Sequence, residues 1–405
     1  MTYTEGDELR LDNRLDELAA GVVNRIRFDP PELKSKLQPP HLSVYTGPPG
    51  LNSGCVPIPG DKKIILMGAD LYPFSHHYTR AAATYLLPSE PGGPRPSSFW
   101  PDACSAVATT LDWLASPAPT PLYPEFKLSQ HQAHVARAFG DYAYRFALCH
   151  EMAHVALEHV DADSTQPKRV GSADIEVFRA SQKQELIADR FGLSLQVKSL
   201  PDDSQLVTAL ASAIYFVHIT GLLDLRLMLL RDLVDWDEWE IAYTHPPALH
   251  RIGNLMGGAE GLCGGAGAGL QIVHESLDPL DGELRGMANK QQEEVASDAL
   301  TLIDAEVARI TKVRANNTHS GSGPGDKIDA QEGNLPPEVA AQLLRLFNRS
   351  PLGVLLALEA ETSAGVGQEE YQLRSFVKEQ LASALPDEFH VFRHQTRARR
   401  AKELA

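Results

Sequence analysis

Positive charge is in short supply: 37 Lys and Arg face 53 Asp and Glu, a formal net charge of −16. Phosphate recognition needs clustered cations, so this balance excludes nucleic-acid binding as the main task and argues against docking on an anionic membrane. Cysteine is equally sparse. Cys55, Cys104, Cys149 and Cys263 are far apart and form no C-x-x-C pair, which argues against a disulfide framework or a structural zinc knuckle. Long, strongly apolar runs without charge are few. One, Leu206 to Leu223, contains Thr208, Ser212, His218 and Thr220 and is followed at once by Asp224 and Arg226. It sits at the lower length limit for a membrane span and reads better as a buried core helix. The N-terminus, MTYTEGDELRLDNRLDEL, is acidic, has no apolar core segment and does not read as a secretory signal. A cytoplasmic protein with reduced thiols is expected.

What is present is an ordinary globular composition, 43% hydrophobic and 22% charged, over 405 residues. Helical spacing of apolar residues runs over 8–27, and over 76–116 with a break at the Pro/Gly/Ser tract 87–98. KKIILMG (62–68) reads as a strand. From Ser129 to Val160 there is no proline and the periodicity is helical. A polar loop follows, then helices over about 175–199 and 203–233, and a shorter one after Pro247. A glycine-rich turn at 257–269 precedes another helical stretch, about 283–315. Residues 316–337 have linker composition, and a helical piece at about 338–384 precedes a charged tail read as a solvated terminus.

Within the long helix lies His150-Glu151-Met152-Ala153-His154. Residues at i and i+4 share a helix face, so two imidazoles can hold one Zn²⁺ while Glu151 addresses a water. Chance alone produces such a motif in about a few per cent of chains of this kind, so context must carry the reading. The apolar flanks FALC and VAL supply burial. The next helix supplies Glu185 as a third ligand and, one turn on, Asp189 to accept a hydrogen bond from the far nitrogen of a ligand histidine. In Thr244-His245-Pro246-Pro247-Ala248-Leu249-His250-Arg251-Ile252 the prolines fix a loop and start a helix, and His245 or Arg251 could donate to an oxyanion, as could Tyr243. His76, His77, His131, His134 and His159 read as surface or core residues.

These pieces, HEMAH, ELIAD and THPPALHRI, resemble in order and character the gluzincin peptidases of the HtpX-like and CAAX-prenyl-protease-like family. A weaker match, NSGCVPIPGDKKIILMGADL (52–71), is similar to the strand that edges the cleft there. The resemblance covers about 50–255 with gaps. It implies a mostly helical α+β fold, with a zincin-like core, a small mixed sheet over an active-site helix, and helical appendages. It further implies a zinc endopeptidase with His150, His154 and Glu185 as ligands, Glu151 as base and Asp189 behind a ligand. A protein or peptide substrate would lie extended along 62–68. The domain plan expected is a peptidase domain at 1–257 with an insertion at about 72–128, a helical extension at 258–315, a linker at 316–337 and a small helical segment at 338–405. The family's membrane helices between the motif and the third ligand have no counterpart, because that interval is short and polar. Two further readings stand beside a general peptidase. One is a regulatory protease acting on a single partner; the other is a zinc-stabilised scaffold without turnover, for which Glu151 would be unnecessary.

Overall fold

The computed structural model describes the chain apart from residues 1–14, 16, 29–30, 48–50, 52, 59–61, 95, 97–99, 115–124, 161–164, 171–172, 179–180, 232–245, 319–334, 361–366 and 386–405. The architecture is mostly helical with a small mixed sheet. By packing, the chain forms two compact units, residues 1–107 with 122–285, and residues 108–121 with 286–405.

In the first unit, a helix over residues 17–25 (α1) and a short helix Glu32–Lys36 (α2) lead into three strands, β1 (Leu42–Thr46), β2 (Gly54–Ile58) and β3 (Lys62–Met67). The sheet order is β1-β3-β2. β1 runs parallel to β3 with Val44 opposite Ile65, and β2 runs antiparallel with Cys55 opposite the same Ile65. The strand foreseen at 62–68 is therefore central. Its apolar, β-branched run fits a strand paired on both sides, and both its edges are used, so it cannot offer an edge to a substrate. β1 and β2 are the outer strands.

Helix α3 (Leu71–Leu86) is followed by α4 (Pro101–Leu114) and then by the long helix α5 (Gln130–Ala156). Ser129 opens α5 through a capping box with Gln132, which satisfies two otherwise orphaned donors. α3, α7 (Leu206–Arg231) and α6 (Gln182–Lys198) all pack on α5, and β2 and β3 touch it as well. The stretch Asp203–Asp224, which takes in most of α7, has a mean hydropathy of 1.9 and is long and apolar enough to cross a membrane, yet 78% of its most apolar 18 residues are buried. It is apolar because it packs against α5, through contacts such as Phe146 on Phe216 at 5.5 Å between ring centroids.

Between α5 and α6 the expected loop and early helix start give way to a hairpin of β4 (Thr165–Val170) and β5 (Ala173–Phe178), which lies beside β2. Residues 175–178 are thus strand and not helix. The helix begins at Gln182 because Ser181 forms a second capping box, with Gln184. Helix α8 (Ala248–Leu262) starts after Pro247 as foreseen. The glycine-rich segment breaks helicity only at 263–265, with Gly265 at φ 83, and α9 then runs from Ala266 to Thr318. Helix thus begins well before 283 and takes in 316–318; most of the foreseen linker lies outside the described residues.

In the second unit, α9 residues beyond 285 carry α10 (Pro337–Arg349), α11 (Pro351–Glu359) and α12 (Gln368–Ser383). Trp113 stacks edge-on against Phe347 at 5.2 Å, and its indole N–H donates to Asn348 O at 3.2 Å. Gly353 lets α11 approach α9: a Cβ there would lie 2.7 Å from Gln292 O and 2.8 Å from Val295 Cβ. Gly286, in the same unit, has nothing within 4 Å of its would-be Cβ. Gly353→Ala is expected to destabilise the protein by about 1–3 kcal/mol through overpacking. Gly286→Ala should instead be neutral or gain up to about 1 kcal/mol from helix propensity. Urea unfolding followed by circular dichroism separates the two, and equal effects would refute the packing argument.

Candidate metal centre

One helical turn separates His150 and His154, and both side chains leave α5 toward α6 while buried. The approach of the two helices is set by Gly192 on α6. A Cβ at that position would lie 2.9 Å from His150 Cα and 3.0 Å from His150 N, so only glycine admits this spacing. Glu185 enters from the first turn of α6, where the helix dipole favours a negative side chain. His150 Nε2 lies 3.2 Å from His154 Nε2 and 3.2 Å from Glu185 Oε2, and His154 Nε2 lies 3.3 Å from Glu185 Oε1. Among the described residues this is the one group of three or more His, Cys, Asp or Glu that could hold a metal ion.

The donor set fits zinc. Bonds of about 2.0–2.1 Å at tetrahedral angles would place ligand atoms about 3.3–3.4 Å apart, close to the separation of the two imidazole Nε2 atoms and to that of each from its nearer Glu185 oxygen. Two imidazoles and a carboxylate also match the composition of a catalytic site, which keeps a fourth position for water.

Behind the ligands lies a chain of buried polar groups. His150 Nδ1 is 2.9 Å from Asp189 Oδ1. Asp189 is fully buried and is gripped in turn by Arg251, whose Nε donates to Oδ2 at 2.9 Å and whose Nη2 donates to Oδ1 at 2.7 Å. Burial alone would raise the Asp189 carboxyl, but Arg251 and His150 outweigh it and hold it below the usual range. Burial likewise opposes a proton on His150, yet its bonds to Asp189 and Glu185 prevail and lift it to about 10. Asn254 of α8 ties the same helices together by donating to Leu186 O at 2.6 Å.

His154 has its own neighbour. His159 Nδ1 lies 3.0 Å from His154 Nδ1, and His159 is pushed down to about 4, first by burial and then by His154. It was read from the sequence as surface or core, and the turn at Glu158 that brings it back was not foreseen. On the other side, Cys55 of β2 places Sγ 3.5 Å from both Glu151 Oε2 and Glu151 O. Burial first, then Glu151, raises its thiol well above the ordinary value.

The structure therefore brings together His150, His154, Glu185, Glu151, Asp189 and Arg251. His245 and Tyr243 lie outside the described residues. Among known families, residues 102–262 match the model described as Peptidase U49. That span runs from α4 through α8, contains every ligand, Glu151, Asp189 and Arg251, and supports a peptidase. No curated protein and no solved structure matches the chain.

Arg251 buried against Asp189 yields an expectation distinct from oxyanion donation. Arg251→Met would leave a buried carboxylate unpaired, at a cost of about 3–5 kcal/mol, and should weaken any metal binding at His150, His154 and Glu185 as well. Thermal unfolding and chelator competition check this. A variant of unchanged stability and metal affinity that had lost only turnover would restore Arg251 to the oxyanion role.

Proposed function

We propose that the chain is a zinc-dependent endopeptidase in which His150, His154 and Glu185 hold the metal and Glu151 is the general base. The observation that carries this reading is the convergence of His150, His154 and Glu185, with one ligand atom of each within 4.8 Å of the others, and Glu151 next in sequence to His150. The Peptidase U49 match over the same residues supports peptide hydrolysis, and the resemblance to gluzincins in HEMAH, ELIAD and THPPALHRI supports the assignment of roles. Zinc held there would supply a Lewis acid that activates water and polarises the scissile carbonyl.

The chain's own residues supply the rest. Glu151 accepts the proton of the attacking water and delivers it to the departing amine. Asp189 fixes the His150 ring, and Arg251 fixes Asp189. An extended peptide fits best along β2, the outer strand whose Cys55 touches Glu151, where main-chain hydrogen bonds would align it. His245 and Tyr243 are proposed as donors to the developing oxyanion. The four unpaired cysteines accord with work in the cytoplasm.

Glu151→Gln keeps the side-chain shape and cannot take a proton, so it should bind about one zinc per chain as the wild type does. Cleavage of a proteome-derived peptide library should fall by at least about two orders of magnitude. Undiminished cleavage by this variant would remove Glu151 as base. Stoichiometric zinc with no cleavage by the wild type would favour a scaffold that keeps the site without turnover.

A further inference from the structure

Helix α5 ends in a turn whose details bear on the site. Leu157 caps the helix and Glu158 follows in the left-handed region at φ 57. Glu158 N–H donates to Val155 O at 3.2 Å, and His159 N–H donates to His154 O at 3.0 Å. This pair of bonds is the Schellman arrangement, in which the second residue past the cap returns over the third residue from the helix end. Glycine usually occupies the left-handed position; here a glutamate does, held from outside by an ion pair with Lys36 of α2. The consequence is geometric: the residue returned is a histidine, and the residue it returns to is a metal ligand of the proposed site.

We propose that His159 is a positioning residue for His154, accepting the His154 Nδ1–H through its own Nδ1 and so presenting His154 Nε2 to the metal. The inference rests on the zinc reading above. The tautomers follow from bonding capacity. Nε2 of His154 faces His150 and Glu185 and must keep its lone pair for a metal, so its proton sits on Nδ1. The atom 3.0 Å away must then be a bare nitrogen, which puts the proton of His159 on its Nε2. His150 is oriented in the same manner by Asp189. The two ligands thus have supports of different kinds, one ionised and carried on α6, the other neutral and carried on the turn that ends α5.

The test compares full-length wild type with His159→Phe, which keeps a ring but has no acceptor, and His159→Asn, whose Oδ1 can take the place of Nδ1. Zinc affinity is measured by chelator competition, with circular dichroism as the control for folding. Loss of such a support generally costs about 10- to 100-fold in metal affinity. We expect that loss in His159→Phe and recovery of most of it in His159→Asn. Wild-type affinity in a folded His159→Phe would overturn the assignment. Equal losses in both variants would also overturn it, since they would show that the site needs the shape of histidine and not its acceptor. If the folded wild type takes up no zinc, the zinc reading itself fails and this inference falls with it, an outcome recognisable before any variant is compared.

Discussion

Asp189 has no solvent-accessible surface, and an ionised carboxylate in such a place is tolerable only when donors replace the water it has lost. Arg251 supplies two of them, and His150 Nδ1 lies 2.9 Å from Oδ1. These contacts join three helices, because Asp189 is on α6, His150 on α5 and Arg251 on α8. The charge is therefore a geometric instruction: the three helices must meet where the carboxylate can be neutralised. Glu185 lies one turn before Asp189, so fixing Asp189 also fixes where Glu185 enters. Gly192 then lets α6 press onto the backbone of His150. The ligand triangle is a by-product of satisfying that one buried anion at close range.

The sheet performs a different task. With β3 in the centre, β2 is left outermost on the side of Glu151, and Cys55 reaches the base. A thiol is a weak donor with a small, largely apolar volume. It can limit the movement of the Glu151 carboxylate without engaging it as firmly as an arginine or lysine would, which would suit the general base proposed there. The hairpin beside β2 belongs to the stretch between the second histidine and the third ligand. That stretch is thus part of the wall next to the base and more than a tether between two helices.

How much of this the sequence disclosed follows from the range of each signal. Helix α5 and the shared face of His150 and His154 on it were legible because i, i+4 spacing is local and the apolar flanks are continuous. Glu185 and Asp189 were legible as a pair for the same reason. The β4–β5 hairpin was not: the stretch DADSTQPKRVGS looks like a loop, and strands gain their stability from partners the periodicity of one segment does not reveal. The start of α6 could have been found from Ser181-x-x-Gln184, a capping-box pattern. Arg251 was placed near the site, but its paired bonds to Asp189 were not foreseen, since nothing in THPPALHRI states which way a guanidinium points. His159 was passed over because it falls neither four nor seven residues from His154. Only the left-handed turn at Glu158 returns it, and a glutamate does not advertise that conformation as a glycine would.

The unequal supports of the two histidines have an electrostatic consequence. Arg251 balances Asp189 locally, so that pair adds almost no net charge to the centre, and Glu185 is the anionic member of the proposed ligand set. A second carboxylate behind His154 would have added another negative charge within a few ångströms of the proposed metal position. A neutral imidazole in that place orients the ligand without doing so. Zinc held by two neutral ligands and one anion would keep a net positive charge, and a bound cation's ability to acidify water and polarise a carbonyl grows with the charge its surroundings leave uncancelled. The choice of histidine over aspartate at position 159 is thus consistent with a site built for Lewis-acid chemistry; a purely structural centre would gain from added negative charge and have no use for Glu151.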